Sequence, residues 1–141
     1  MYLLDTNVIS EHRKAPAGKA DANLVEWMAS HPAAVLFISV VSIKEIELGV
    51  ALLERRDGPQ GEILRSWFER RVLPAFADGR ILPVTLEIAR RCCKLHVPNP
   101  RPELDAFIAA TALVHNLTVV SRNTADFALL GVKLLNPWEP Q

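Results

Sequence analysis

Five short, largely apolar runs separated by longer helical stretches restrict this chain more than any other feature. They are Tyr2–Leu4, Val35–Val41, Ile81–Val84, Leu117–Val120 and Val132–Leu135. Val35–Val41 is nearly continuous in β-branched and aromatic residues, the mark of a strand buried on both faces. Ile81–Val84 carries Pro83, which a sheet tolerates only at an edge or an end, so a short edge strand is expected there. Helical patterns cover roughly 21–30, 42–56, 60–77, 86–96 and 103–115. Strands alternating with helices imply right-handed crossovers and a mostly parallel central sheet. The expected fold is a three-layer α/β/α domain. A chain of 141 residues fits a single domain over 1–141.

Half of the residues are hydrophobic and 23% are charged, which excludes a disordered chain. No apolar run approaches the roughly 20 residues of a membrane span. The N-terminus reaches Asp5 without a basic flank, so no secretory signal and no membrane partner are expected. Sixteen basic residues balance sixteen acidic ones, which argues against a general nucleic-acid coat but allows a local basic groove. Cys92 and Cys93 are neighbours and cannot staple the fold, so a reducing, cytoplasmic location is the default. The histidines at 12, 31, 96 and 115 stand apart, and no spacing matches a structural zinc site.

In parallel α/β sheets the functional crevice lies beyond the carboxyl ends of the strands. Asp5 follows the first strand there, at a corner leading into a helix, where helix capping is its simplest role. Glu45 and Glu47 lie on the helix after the second run and point in different directions, and periodicity does not choose between them. Glu45 shares a face with Val41 and with Gly49, where a missing side chain permits close approach by another element. Asp105 opens a helix and shares a face with Ile108, Ala109 and Ala112. The helix dipole favours an acid in that first turn. A carboxylate aimed along a buried apolar face is nevertheless expensive unless paired or bound to a cation. Carboxylates from separate segments, with no His or Cys among them, are the ligand set of Mg²⁺ or Mn²⁺. Such a centre can polarise a phosphodiester and activate water.

These residues also carry a resemblance. Tyr2–Ser10, Ile38–Val41 leading to Glu45 and Gly49, Asp105–Ala112, and Ser121–Asn123 with Asp126 and Phe127 resemble the PIN-domain ribonucleases. More closely, they resemble the VapC-type toxins of bacterial toxin–antitoxin pairs, including the FitB-like group. The resemblance runs from Tyr2 to about Trp138. It implies a PIN fold, a Mg²⁺ or Mn²⁺ site, cleavage of RNA, a homodimer, and a VapB-like antitoxin through which operator DNA is reached. Asp5, Glu45 and Asp105 fall on the family's acidic triad, Glu45 being preferred to Glu47 by its four-residue distance to Gly49. Asn123 stands where some members have Asp, so Asp126 either supplies the fourth charge or caps the following helix. Thr6 and Ser39 match polar positions that support the ligands. The segment Val97–Leu104 is richer in proline than the family's usual approach to this helix.

Residues 86–101 hold Arg90, Arg91, Lys94 and Arg101 against the single acid Glu87. They form either a solvated helix face or a groove that tracks phosphates toward Asp105. Arg122 either meets a phosphate or balances the acids. Trp27, Trp67 and Trp138 are expected in packing rather than in base stacking. Ser10, Ser39 and Ser121 lack a glycine-flanked elbow, which argues against acyl transfer. The expected function is a metal-dependent endoribonuclease acting as a type II toxin. The rival is a catalytically silent PIN-like subunit that acts only through its antitoxin and operator complex.

Overall fold

In the computed structural model, which describes residues 1–141, the first apolar run forms the central strand of a five-stranded parallel sheet. The strands are β1 (Tyr2–Leu4), β2 (Leu36–Ser39), β3 (Ile81–Leu82), β4 (Thr118–Val120) and β5 (Leu134–Leu135), in the order β3-β2-β1-β4-β5. Every pair is parallel, with Leu4 opposite Ile38 on one side and Val120 on the other. Side chains alternate across the sheet. Leu4, Ile38 and Val120 pack into one core with residues from the first half of the chain, among them Val8, Leu24, Ile46 and Phe68. Leu3 and Val119 pack into a second core with Ile108, Ala109, Ala112 and Phe127. The layers are thus helix, sheet, helix, as expected.

The helices are α1 (Thr6–His12), α2 (Ala22–Ala29), α3 (Val40–Arg56), α4 (Gly58–Trp67), α5 (Leu73–Ala75), α6 (Leu86–Leu95), α7 (Glu103–His115) and α8 (Thr124–Ala128). None is long and apolar enough to cross a membrane. β3 lies at the sheet edge and ends before Pro83, as its sequence requires.

β3 and β5 are each two residues shorter than the expected runs Ile81–Val84 and Val132–Leu135, and three larger features differ from expectation. The run Val35–Val41 is strand only over Leu36–Ser39, because the Ser39 hydroxyl accepts from the Val41 N–H at 3.1 Å and starts α3 two residues earlier than periodicity suggests. The stretch 60–77 is not one helix: a turn of π-helix over Phe68–Val72 separates α4 from α5. Phe68 and Val72 are both buried by this arrangement. The third concerns glycine. Nothing in the chain lies within 4 Å of where a Gly49 Cβ would stand, so no element approaches it. The close approach occurs at Gly61, whose Cβ would lie 2.3 Å from the Glu54 Cα, and it brings α4 against α3.

Candidate active site

Asp5 continues directly from β1, its backbone N–H donating to the Val120 carbonyl at 2.9 Å. Its side chain is almost fully buried and held by two donors. Oδ1 accepts from the Thr6 N–H at 2.8 Å, and Oδ2 accepts from the Ser121 hydroxyl at 2.7 Å. Ser121, just past β4, is fully buried and accepts in turn from Asn7 Nδ2 at 3.2 Å and from the Asn123 N–H at 2.9 Å. One donor and two acceptors use the hydroxyl's whole capacity, so its orientation is determined. Burial pushes the Asp5 carboxyl above its ordinary range despite the Ser121 and Thr6 hydrogen bonds, and Glu45 adds to the push.

Asp105 stands in the first turn of α7, half-buried. Its pKa is pushed up to about 6, first by burial and then by the charges of Asp5, Asp126 and Glu45. Three elements therefore bring carboxylates to one place: the end of β1, the second turn of α3 and the first turn of α7. They line a cleft of about 400 Å³ that Asn123 also borders. Glu47 leaves this group, pairing with Arg65 of α4 at 3.1 Å. Asp126 lies exposed in the first turn of α8 and accepts from Asn123 Nδ2 at 2.7 Å, so it is tied to Asn123 rather than occupying the helix cap. Ser39 lies fully buried, and its hydroxyl caps α3, the helix that carries Glu45.

Three further cleft oxygens, Thr6 Oγ1, Asn7 Oδ1 and Ser42 Oγ, are buried and have no hydrogen-bond partner. Buried polar atoms are rarely left so. Together with the carboxylates they line the cleft with oxygen donors, the kind a hard divalent cation and its bound waters prefer, although the three carboxylates stand further apart than the ligand atoms of one ion. Thr6 is expected from the sequence as a supporting group, whereas Asn7 and Ser42 carry no sequence signal that assigns them a role. For the Ser121 hydroxyl the one signal is its placement directly after a central strand.

Other expectations resolve into packing. Trp27 is buried and meets Tyr2 edge-on, with ring centroids 5.1 Å apart. The Arg13 and Arg122 guanidinium groups lie over the rings of Trp67 and Trp138. The Lys14 and Asp21 hydrogen bonds hold the Glu11 carboxyl below its ordinary range, and Arg122 lies close enough to add to that effect. Arg90 and Lys94 are exposed, whereas Arg101 is half-buried. His96, which stands apart from the other histidines in the sequence, meets other potential ligands in the fold. Cys92 and His96, one turn apart on α6, meet Glu103 from α7, with one ligand atom of each within 4.8 Å of the others. The i, i+4 spacing of Cys92 and His96 was readable, but the contribution of Glu103 required the packing of α6 on α7.

A parallel α/β sheet with its cleft beyond the carboxyl ends of the strands defines the class of fold, and the PIN domain family matches residues 2–132. The chain belongs to the PIN-domain family. It is 34% identical over 145 residues to the VapC ribonuclease Y4jK of Sinorhizobium fredii, covering 99% of both chains. It is 38% identical over 144 residues to Toxin FitB of Neisseria gonorrhoeae, covering 98% of this chain and 99% of that one. Among solved structures, FitAcB from Neisseria gonorrhoeae superposes with a TM-score of 0.88 at 35% identity, covering 99% of both chains.

Proposed function

We propose that this protein is a metal-dependent endoribonuclease and the toxin of a type II toxin–antitoxin pair, with residues 1–141 acting as one PIN domain in the cytoplasm. The observation that carries the reading is the convergence of Asp5, Glu45 and Asp105 on a cleft that also holds three partnerless buried oxygens. Relatives named as ribonucleases and toxins along nearly their whole length support it.

Asp5, Glu45 and Asp105 would hold Mg²⁺ or Mn²⁺, with Asp126 and Asn123 at the rim. Such an ion, when bound, neutralises phosphate charge and lowers the pKa of water. The chain's own residues do the rest. Ser121 and the Thr6 N–H fix both oxygens of Asp5, so its orientation costs no rearrangement when substrate arrives. Asp105 must be ionised to act as a ligand, and burial together with its acidic neighbours holds it largely protonated below about pH 6 without a cation. In-line attack of water on the scissile phosphate would leave 5′-phosphate and 3′-hydroxyl ends.

A VapB-like antitoxin would silence the cleft and provide the contact with operator DNA. A second cavity of about 530 Å³ supports this, since Ile9, Met28, Leu36, Trp67 and Phe76 give it apolar surface and Arg13, Arg71 and Arg80 give it charged walls, a mixture suited to an amphipathic partner segment. Homodimerisation is supported by Leu48 and Leu52 of α3 and Ile63 of α4, which are more than half exposed. The deciding experiment incubates purified protein with RNA in Mg²⁺ and then with EDTA. Cleavage that stops with EDTA and is absent in Asp5→Asn is expected. A folded, antitoxin-free protein that leaves RNA intact in Mg²⁺ and in Mn²⁺ would establish the silent-subunit reading instead.

A further inference from the structure

Outside the cleft, the one group of potential metal ligands from different elements is Cys92, His96 and Glu103. Cys92 Sγ lies 3.8 Å from His96 Nε2, which lies 3.2 Å from Glu103 Oε2. A tetrahedral zinc site with the usual bond lengths has ligand–ligand edges of about 3.3–3.6 Å. Both distances therefore already approximate the edges of such a site. The third edge is no longer than 4.8 Å, and Glu103, whose side chain is 68% exposed, can rotate to close it. Cys92 is 3% exposed, so the soft donor is shielded on the protein side while the carboxylate side stays open for water or exogenous ligand.

We propose that Cys92, His96 and Glu103 form a second cation site, selective for Zn²⁺ or a similar soft divalent ion and separate from the all-oxygen cleft. Thiolate and imidazole donors favour such ions over Mg²⁺. Thiolate and carboxylate together neutralise the ion's charge. Binding displaces the thiol proton to solvent, and the ring proton leaves Nε2 by exchange with solvent as Nδ1 takes one up, which frees the Nε2 lone pair for the metal.

The site has a built-in consequence. Without an ion, His96 Nδ1 accepts from the Arg101 N–H at 3.0 Å, so the ring carries its proton on Nε2, toward Glu103. With Nε2 on a metal, the neutral ring carries its proton on Nδ1, where it faces another N–H. The Arg101 contact must then open. Ion binding therefore releases the proline-rich segment between α6 and α7 from the end of α6.

The test titrates the full chain, kept in excess Mg²⁺ to saturate the oxygen cleft, with Co²⁺ and then Zn²⁺. One equivalent of Co²⁺ should give a near-ultraviolet thiolate-to-cobalt band that Zn²⁺ abolishes, and hydrogen exchange at the Arg101 amide should accelerate as the band grows. Cys92→Ser should remove the band and Cys93→Ser should keep it. Glu103→Gln, at an exposed position that does not threaten folding, should weaken Co²⁺ binding by about tenfold or more. Asp5→Asn should leave the band intact. The proposal is overturned if folded wild-type protein gives no band, if the band follows Cys93, if Glu103→Gln binds as tightly as wild type, or if the Arg101 amide stays protected when the band is full.

Discussion

An ionised Asp105 strains this fold, because burial and three neighbouring acids oppose its charge. Its folded pKa of about 6 lies above the ordinary 3.8, so as pH rises the unfolded chain loses its proton first. The stability that protonated Asp105 contributes is therefore complete below about pH 4 and is lost as pH rises through about 6. Removing the charge should reverse that loss. In EDTA, Asp105→Asn should melt above wild type at pH 8, and the gap should shrink toward pH 4. A metal-free Asp105→Asn chain that is unfolded at pH 8 would make the carboxylate a structural requirement. Glu45 and Glu47 give a second test at this scale. They are about 200° apart around their helix, one facing the cleft and the other paired with Arg65. Glu45→Gln should lower RNA cleavage by at least about 10–100-fold, the loss seen even for groups that only support a metal's ligands, while Glu47→Gln stays within a few-fold. Equal losses from the two would place the catalytic carboxylate wrongly.

At the scale of elements, two glycines on neighbouring helices play opposite parts. Gly61 lets α4 lie against the α3 backbone at Glu54, whereas Gly49 has open space where a side chain would go. Gly61→Ala must push backbone against backbone and should destabilise by about 1–3 kcal/mol. Gly49→Ala adds helix propensity without a clash and should stabilise the monomer by up to about 1 kcal/mol. Urea denaturation of both variants measures the difference, and a neutral Gly61→Ala would mean that α3 and α4 separate easily. The expectation of a close approach at Gly49 was reasonable from helix spacing alone. Which glycine meets a neighbour depends on how the chain turns at Asp57 and returns along α3, and no local pattern reports that.

For the whole molecule, the acid cleft attracts any cation presented to it. An antitoxin Arg is an effective substitute for a metal, since its planar fork meets carboxylates two bonds at a time. We expect a short antitoxin whose C-terminal segment lies along the apolar lining near α1 and α2 and sends an Arg to Asp5, Glu45 or Asp105. A co-purified complex should be inactive on RNA, and raising Mn²⁺ should restore part of the activity by competition. Full activity in the complex, or a complex structure with no basic residue or bulky plug at the acids, would refute this mechanism.

The order of strands and helices, the parallel sheet, and the isolation of Asp5 and Asp105 at element ends were all legible in the sequence. Each is set by burial of side chains close together in the chain, and hydrophobic period and helix-start chemistry report such local burial directly. The tertiary structure alone decided the rest. Ser121 reaches Asp5 across 116 residues of sequence because β1 and β4 lie side by side. Glu103 joins Cys92 and His96 because α7 packs on α6, and Arg65 draws Glu47 away because α4 folds back on α3. These contacts depend on which elements become neighbours, a property of the assembled layers that no single stretch of sequence contains.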